Sequence, residues 1–436
     1  MTAVLKNAKC NPFSAYSAYV SQLKRLAVES HHVAGWNARV DAALNGEASI
    51  ELRRVAPLET RRKFGAFFTG TDLGARLLDC STKFSPGSVF YDPTCGMGDL
   101  LIAAARKLPL RKKLPDTLRQ WGQQLTGTDL HREFVEGART RLVMLARQRH
   151  KTDETLRRSD ADFFPNIRVA DGLKQKALFS RATHLLLNPP FGQVAAPAGC
   201  EWAGGRITEA AAFVIAALER ARFGTEMIAI LPEVLRSGSF SQRWRKHVSR
   251  LAEVQLVQPY GIFDDIADVD VFLLKVTRRA EIRKAKMHVW TTCHTRRTNT
   301  VSDLFDVHVG RVVPHRDPEK GVEYPYIHPR CVPPWEIMRH FPEYRRHGGS
   351  AYKPPFVVIR RTSRPDDRFR ATATVIAGKR LIAVENHLIV CVPKDGKLAT
   401  CRNLIAHLKT TEVNQFLNDR IRCRHLTVGA VKEIPQ

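Results

Sequence analysis

Short apolar runs alternate with helix-like stretches through the middle of the chain. The runs predict buried strands, and apolar residues at helical spacing between them predict helices. Strands are expected at Ser88–Tyr91, Gln124–Asp129, Ile167–Gly172, Leu185–Leu187, Glu226–Leu231, Val254–Val257 and Asp270–Val276. Helices are expected from Leu100, over Arg132–Arg149 and through Ala211–Ala221. This alternation predicts an α/β fold built on a mostly parallel sheet.

The two ends of the chain have different patterns. Before residue 60, apolar residues such as Tyr16, Val20 and Leu23 recur at helical spacing. After residue 300, short β-like runs are separated by turns, at Val307–Val312, Phe356–Arg360, Leu381–Val384 and Leu388–Val392, and two short helices follow. We therefore expect a helical N-terminal segment (1–60), an α/β domain (61–280) and a smaller α+β C-terminal domain (300–436).

Candidate chemistry is densest in the loop after the fourth predicted strand, which reads Asn188-Pro189-Pro190-Phe191. An amide oxygen and the Pro189 carbonyl offer two acceptors on a stiff backbone, and Phe191 offers a flat apolar face. Two such acceptors can take both protons of an exocyclic amino group while the ring stacks on the base. Four residues of this kind also occur where a strand ends in a proline turn. The stretch Gln193–Arg206, rich in Gly, Ala and Pro, predicts a mobile loop that could close over a substrate.

A second candidate loop follows the first predicted strand and reads Asp92-Pro-Thr94-Cys95-Gly96-Met-Gly98. Strand, glycine loop and helix in this order form the first unit of a nucleotide-binding fold. The loop lacks the Gly-Lys-Ser/Thr of a P-loop and the Gly-x-Gly-x-x-Gly of dinucleotide binders. Because Asp92 would repel a pyrophosphate, the loop favours a cationic ligand such as a sulfonium.

Three further candidates are weaker when taken alone. Asp129 ends the second strand, where acids bind ribose hydroxyls in such folds, but an aspartate there is also a common helix cap. Asp171-Gly172 ends the third strand and could equally be a turn. Thr69 lies in a glycine- and phenylalanine-containing stretch that leads into a helix.

Taken in order, these motifs resemble those of the N6-adenine DNA methyltransferases of the gamma arrangement, of the type I modification-subunit and TaqI-like kind. The resemblance implies a Rossmann-like, seven-stranded domain that binds S-adenosylmethionine. It assigns catalysis to Asn188, Pro189, Pro190 and Phe191, and cofactor binding to Thr69, Asp92, Thr94, Cys95, Gly96, Gly98, Asp129, Leu130, Asp171 and Gly172. The chain departs from the family pattern at Gly70, where proline is usual, and at Asp99, where a third glycine is frequent.

The net charge and the cysteine spacing indicate which binding partners and which cellular compartment the chain favours. The 436 residues carry 69 Lys and Arg against 43 Asp and Glu, a net charge of +26, which favours a polyanionic partner, most simply nucleic acid. The nine cysteines are scattered without a Cys-x-x-Cys pair, so no metal site is expected and a reduced, cytoplasmic protein is favoured. No apolar run approaches the length of a membrane span.

The resemblance thus implies an enzyme that methylates N6 of a flipped-out adenine in double-stranded DNA, as the modification enzyme of a prokaryotic restriction–modification system. The C-terminal domain would recognise the target sequence. Alternatives are an RNA adenine or guanine methyltransferase and a non-catalytic DNA-binding subunit with the same fold. No Asp…Glu-x-Lys nuclease cluster stands out, so a cognate restriction endonuclease would be a separate chain. The sequence indicates no oligomeric state.

Overall fold

The computed structural model describes residues 11–81, 84–154, 156, 159–263, 269–280, 288–291 and 299–436. The chain divides into two compact units. One comprises the chain up to Leu235 together with Gln242–His288, and the other comprises Arg236–Ser241 together with Val289–Gln436.

The first unit carries most of the helices and a long sheet. Its helices are α1 (Ser17–Val28), α2 (Trp36–Leu44), α3 (Glu47–Val55), α4 (Leu58–Phe64), α5 (Thr71–Asp79), α6 (Asp99–Lys107), α7 (Leu114–Gln124), α8 (Arg132–His150), α9 (Asp160–Phe163), α10 (Lys176–Arg181), α11 (Glu209–Arg220) and α13 (Gln242–Leu251), while α12 (Glu233–Ser237) continues into the second unit. Its strands are β1 (Phe90–Asp92), β2 (Leu125–Asp129), β3 (Ile167–Val169), β4 (His184–Leu187), β5 (Gln193–Ala195), β6 (Arg206–Thr208), β7 (Glu226–Pro232), β8 (Ala252–Ile262) and β9 (Asp270–Arg278).

Seven of these strands form one sheet in the order β3-β2-β1-β4-β7-β9-β8. The first five run parallel, and β9 lies antiparallel between β7 and β8. Every residue of β4 and β7 is buried, as expected for strands covered on both faces. The predicted α/β fold is therefore confirmed, and the carboxyl ends of β1, β2 and β4 meet at one edge.

The N-terminal helices belong to the same core as the sheet. Phe13, Tyr16 and Trp36 are buried in one apolar cluster with residues of α6 and α8. The side chain of Arg141, on α8, is fully buried there and contacts the end of α2: its Nε donates to the Ala43 carbonyl (2.8 Å) and its NH2 to that of Leu44 (3.3 Å). These are carbonyls that the helix itself leaves without a partner.

The second unit has its own cores and sheets. Its helices are α14 (Val301–Leu304), α15 (Leu398–His407), α16 (Thr411–Arg420) and α17 (Val428–Lys432), and its strands are β10 (Phe305–Val309), β11 (Val322–Ile327), β12 (Ile337–Met338), β13 (Tyr344–His347), β14 (Phe356–Arg360), β15 (Ala373–Ile376), β16 (Ala383–Val384) and β17 (Leu388–Pro393). A five-stranded sheet runs β10-β17-β14-β15-β12, and a three-stranded one runs β13-β11-β16. This unit has the expected α+β character.

One stretch carried no prediction, and another differs from its prediction. The segment between the first two predicted strands contains α7, which buries Leu114, Leu118 and Trp121. Gln193–Arg206 was expected to be a loop, but its first residues, in β5, pair antiparallel with β6, which begins at Arg206. No helix within the described residues is long and apolar enough to span a membrane.

The buried guanidinium of Arg141 gives a test of how firmly the N-terminal helices are held. Arg141→Met leaves the Asp99 carboxylate and two helix-end carbonyls without their partner, so we expect a loss of about 3–5 kcal/mol in the free energy of unfolding, measured by denaturant titration. Arg132→Met, an exposed position on the same helix, should leave that free energy nearly unchanged. Equal effects of the two variants would contradict the assigned role.

Candidate active site

A cavity opens at the edge where β1, β2 and β4 end, the position at which α/β sheets bind ligands. Most of the residues predicted from the sequence line it: Thr69, Asp92, Thr94, Cys95, Gly96, Asp129, Leu130, Asp171, Gly172, Asn188 and Pro190. Gly98, Pro189 and Phe191 do not line it.

The glycine loop between β1 and α6 closes one side of the cavity. Cys95 N donates to the Thr128 carbonyl (2.9 Å), which holds the loop against β2. Gly98 has φ +83°, and a Cβ there would lie 3.0 Å from the Cβ of Ala138. Gly98 therefore lets α6 begin in close contact with α8, which explains why it supports the cavity without lining it.

Asp92 is the most deeply buried acid of the site, with 2% of its surface exposed. Its Oδ1 accepts from Thr94 N (3.0 Å), and the described residues contain no ion pair to this carboxyl. Burial, reinforced by the nearby carboxylates of Asp129 and Asp99, raises the pKa of Asp92 to about 8. A cation bound in the cavity would stabilise the ionised carboxylate.

Asp129 joins the second strand to the glycine loop. Its Oδ1 accepts from His131 N (2.9 Å), which stabilises the turn between β2 and α8. Its Oδ2 accepts from Gly96 N (3.1 Å), which holds the glycine loop in place. Burial raises its pKa above the usual range. Each carboxylate oxygen can still accept from a ligand hydroxyl, and Leu130 beside it is 48% exposed.

Asp171 and Gly172 bring the third loop against the first. Asp171 Oδ1 accepts from Leu173 N (3.1 Å), which begins a short 3-10 helix. A Cβ on Gly172 would lie 2.0 Å from the Pro93 carbonyl oxygen, so only glycine allows this approach. The Asp171 carboxyl faces the same cavity as Asp92 and Asp129.

Asn188 is oriented by a contact that the sequence did not reveal. Its Nδ2 donates to Thr69 Oγ1 (2.9 Å), and the Thr94 hydroxyl donates to its backbone carbonyl (3.4 Å). Since the amide nitrogen is engaged, Oδ1 is left to accept from a ligand. Thr69, expected to contact only the cofactor, thus also positions the predicted catalytic amide.

Phe191, the aromatic residue of the Asn188–Phe191 loop, is held by packing against another ring. Phe191 is half-buried and packs edge-to-face against Phe263, with ring centroids 5.6 Å apart. Pro189 is buried and Pro190 lines the cavity. Pro190 has no backbone N–H, so the Pro189–Pro190 peptide offers only an acceptor, the Pro189 carbonyl oxygen.

Asp99, where the chain departs from the family pattern, has a role that the sequence did not reveal. Its Oδ2 accepts from Gly70 N (3.1 Å) and its Oδ1 from the buried Arg141 (2.8 Å). Asp99 therefore holds the Thr69-bearing stretch to the glycine loop. The sequence shows that Asp99 is an acid at the start of a helix, where a negative charge is favourable. It does not show the two partners of Asp99, which lie 29 and 42 residues away along the chain.

The lining as a whole fits a cationic nucleoside ligand. Acidic side chains face it from three strand ends, while Phe64, Phe68, Phe134 and Phe213 supply apolar surface. A sulfonium or ammonium group suits the acids, and a purine suits the aromatic surface. The arrangement thus fits S-adenosylmethionine, the cofactor that the resemblance implies.

The raised pKa of Asp92 gives a test with a definite sign. Below pH 8 the free protein keeps a proton on Asp92, and a cationic cofactor favours its loss, so binding should release protons and tighten with rising pH, by at most about tenfold per unit. Calorimetry of S-adenosylmethionine binding between pH 6.5 and 8.5, in buffers of different ionisation enthalpy, measures both quantities. Asp92→Asn should remove the proton release, whereas the exposed-site control Asp116→Asn should not. Binding without proton release and independent of pH would contradict the assignment.

Comparison with protein families and with curated proteins finds no match to the chain, whereas comparison with solved structures finds many similar ones. Among them is MmeI, a type IIL restriction–modification enzyme in complex with DNA, at 12% identity and a TM-score of 0.53, over 88% of this chain and 69% of MmeI. The type IIG restriction endonuclease BpuSI has 14% identity and a TM-score of 0.44, over 96% and 67%. A Listeria monocytogenes protein assigned to the class I S-adenosylmethionine-dependent methyltransferases has 14% identity and a TM-score of 0.38, over 62% and 83%. The chain therefore shares the fold of the MmeI structure, and its structural neighbours include restriction–modification enzymes.

Proposed function

We propose that the chain is a DNA methyltransferase of a restriction–modification system, which transfers a methyl group from S-adenosylmethionine to N6 of adenine in duplex DNA. The observation that carries this proposal is the orientation of Asn188. Its Nδ2 donates to Thr69, so its Oδ1 can accept from a substrate amino group. The same cavity holds the acids that fit the cofactor.

Activation of the amine follows from two acceptors. The Asn188 Oδ1 and the Pro189 carbonyl would each accept a hydrogen bond from the N6 amino group, which draws the nitrogen lone pair out of conjugation with the ring. The freed lone pair would attack the methyl carbon that S-adenosylmethionine supplies, with S-adenosylhomocysteine as the leaving group and one N6 proton lost to solvent. Catalysis requires positioning and fixed dipoles, with no strong base, because the N6 proton becomes acidic as the new bond forms.

The cofactor site is the acidic part of the cavity. S-adenosylmethionine supplies an electrophilic methyl group when bound. Asp92 offsets the positive charge, Asp129 accepts from the ribose hydroxyls, and Asp171 faces the adenine. Thr94, which contacts the Asn188 carbonyl, couples the cofactor loop to the catalytic loop.

The target base must leave the helix to reach this site, since N6 lies inside a duplex. Flipping costs a few kcal/mol in unstacking. We assign the compensating stack to Phe191, whose ring is braced by Phe263 and would cover one face of the base.

Charge and structural neighbours favour DNA as the polymer. The net charge of +26 suits a polyanion, and the structure of MmeI is one in complex with DNA. Within the second unit, a cavity is lined by Arg330, Arg360, Thr362 and His387. Such groups hold backbone phosphates, while a few neighbouring side chains would read bases in the major groove. A cognate restriction endonuclease would be a separate chain.

The primary test is label transfer from radiolabelled S-adenosylmethionine to unmodified duplex DNA and to total RNA in parallel. We expect label in DNA with the wild type and none with Asn188→Ala. This variant should still bind the cofactor with near wild-type affinity, because Asn188 contacts the target base and not the cofactor. Label in RNA alone would make the chain an RNA methyltransferase. Cofactor binding without transfer to either would favour a binding subunit.

The contact between Thr69 and Asn188 gives a more selective test. Thr69→Val removes the acceptor for Asn188 Nδ2 and lets the amide rotate, so kcat should fall by about 10- to 100-fold at saturating cofactor. Thr69→Ser keeps the hydroxyl and should retain most activity. If Thr69→Val raises the KM for S-adenosylmethionine and leaves kcat unchanged, the hydroxyl binds the cofactor and does not orient the amide.

A further inference from the structure

Glu209 is an acid of the active-site cavity that none of the sequence motifs includes. It is the first residue of α11, and its backbone N–H donates to the Gly192 carbonyl (2.8 Å), just after the catalytic quartet. The N-terminus of α11 is capped by Thr208, whose Oγ1 accepts from Ala211 N (3.2 Å). The Glu209 carboxyl is therefore not needed as a cap.

The carboxyl of Glu209 lies against the catalytic loop without a partner of its own. A Cβ built on Gly192 would be 3.0 Å from Glu209 Oε1, and the side chain lines the cavity together with Asn188 and Pro190. Within the part of the chain that the structure describes, the carboxyl makes no hydrogen bond or ion pair. A half-buried acid in this position has hydrogen-bonding capacity left for a ligand.

Burial favours the neutral form of the Glu209 carboxyl. Burial raises the pKa of the Glu209 carboxyl above its usual range, and a base that fills the cavity would exclude more water. The other charged or titratable groups that line the same cavity are Lys63, Asp92, Cys95, Asp99, Asp129, His131 and Asp171.

The chemistry of the target base defines what a group beside the quartet must do. In adenine the ring nitrogen next to the amino group, N1, is an acceptor, and cytosine has the same pattern at N3. Guanine and thymine carry an N–H at the corresponding ring position. Once Asn188 and Pro189 accept the amino protons, a group facing that nitrogen must donate to bind adenine, and an ionised carboxylate would repel it.

We propose that the protonated carboxyl of Glu209 donates a hydrogen bond to the unprotonated ring nitrogen beside the target amino group. Glu209 then acts as a specificity determinant, which admits adenine, or cytosine, and rejects guanine. This inference rests on the proposed function, since it takes the base bound at Asn188 as the methyl acceptor.

The test uses short duplexes that contain the mapped methylation site, with the target adenine intact or replaced by 1-deazaadenine, which lacks the N1 acceptor. Glu209→Ala should lower kcat/KM on adenine by about 10- to 100-fold, the usual discrimination from a good base contact. The wild type should lose a similar factor on 1-deazaadenine, and Glu209→Ala should show no further loss there. Glu209→Gln keeps a donor and should retain most of the activity on adenine.

Two controls separate this role from a structural one. Glu219→Ala, an exposed acid on the same helix, should behave as wild type, and all variants should bind S-adenosylmethionine with unchanged affinity and melt at similar temperatures. Full activity of Glu209→Ala on adenine would overturn the proposal. So would an equal further loss on 1-deazaadenine, or a defect confined to cofactor affinity. Absence of methyl transfer by the wild type would instead overturn the proposed function, and this inference with it.

Discussion

The candidate site of the first unit is organised around two carboxylates at neighbouring strand ends, Asp92, which is buried, and Asp129, which is partly buried. Asp92 ends β1, Asp129 ends β2, and the two strands pair in parallel, so the acids face one cavity. No lysine or arginine pairs with either one among the described residues, and the nearby His131 side chain only partly offsets the rise in the pKa of Asp129. Backbone N–H groups of Thr94, Gly96 and His131 hold them. Those contacts hold the glycine loop around the two carboxyl groups. A cationic ligand would supply the positive partner that they lack.

The acids connect to the catalytic loop through two threonines. Thr94 contacts Asp92 through its backbone N–H and the Asn188 carbonyl through its hydroxyl, while Thr69 accepts from the Asn188 amide. Loops from three separate parts of the chain thus share one hydrogen-bonded system at the sheet edge. Cofactor and acceptor would be aligned by the same contacts, which is where an enzyme of this type gains most of its rate.

The edge of the sheet that carries the candidate site could be predicted from the sequence, because the residues that mark it lie close together along the chain. Buried apolar runs mark β4 and β7, glycine marks the first loop, and acids mark the strand ends, so the carboxyl ends could be aligned in advance. The contacts between loops could not be predicted, since Thr69 and Asn188 are 119 residues apart. The same limit applies to Arg141, which joins α8 to the end of α2.

The second unit was predicted less completely. β14 and β17 were visible as continuous buried runs, whereas β12 has two residues and β13 exposes Tyr344 and Arg346, so neither carries a hydrophobic pattern of its own. Their pairing depends on partner strands elsewhere in the unit. Glu209 belongs to the same class of missed features, because its place beside the catalytic loop follows from a helix start with no motif.

We propose that the methyl acceptor is an exocyclic amine, because Asn188 lines the cavity with its amide nitrogen engaged by Thr69 and its amide oxygen left to accept. The most direct measurement is mass-spectrometric nucleoside analysis of unmodified duplex DNA after incubation with the protein and S-adenosylmethionine. The account predicts N6-methyldeoxyadenosine, at a level that depends on Asn188. A product methylated on carbon, such as 5-methyldeoxycytidine, would contradict it.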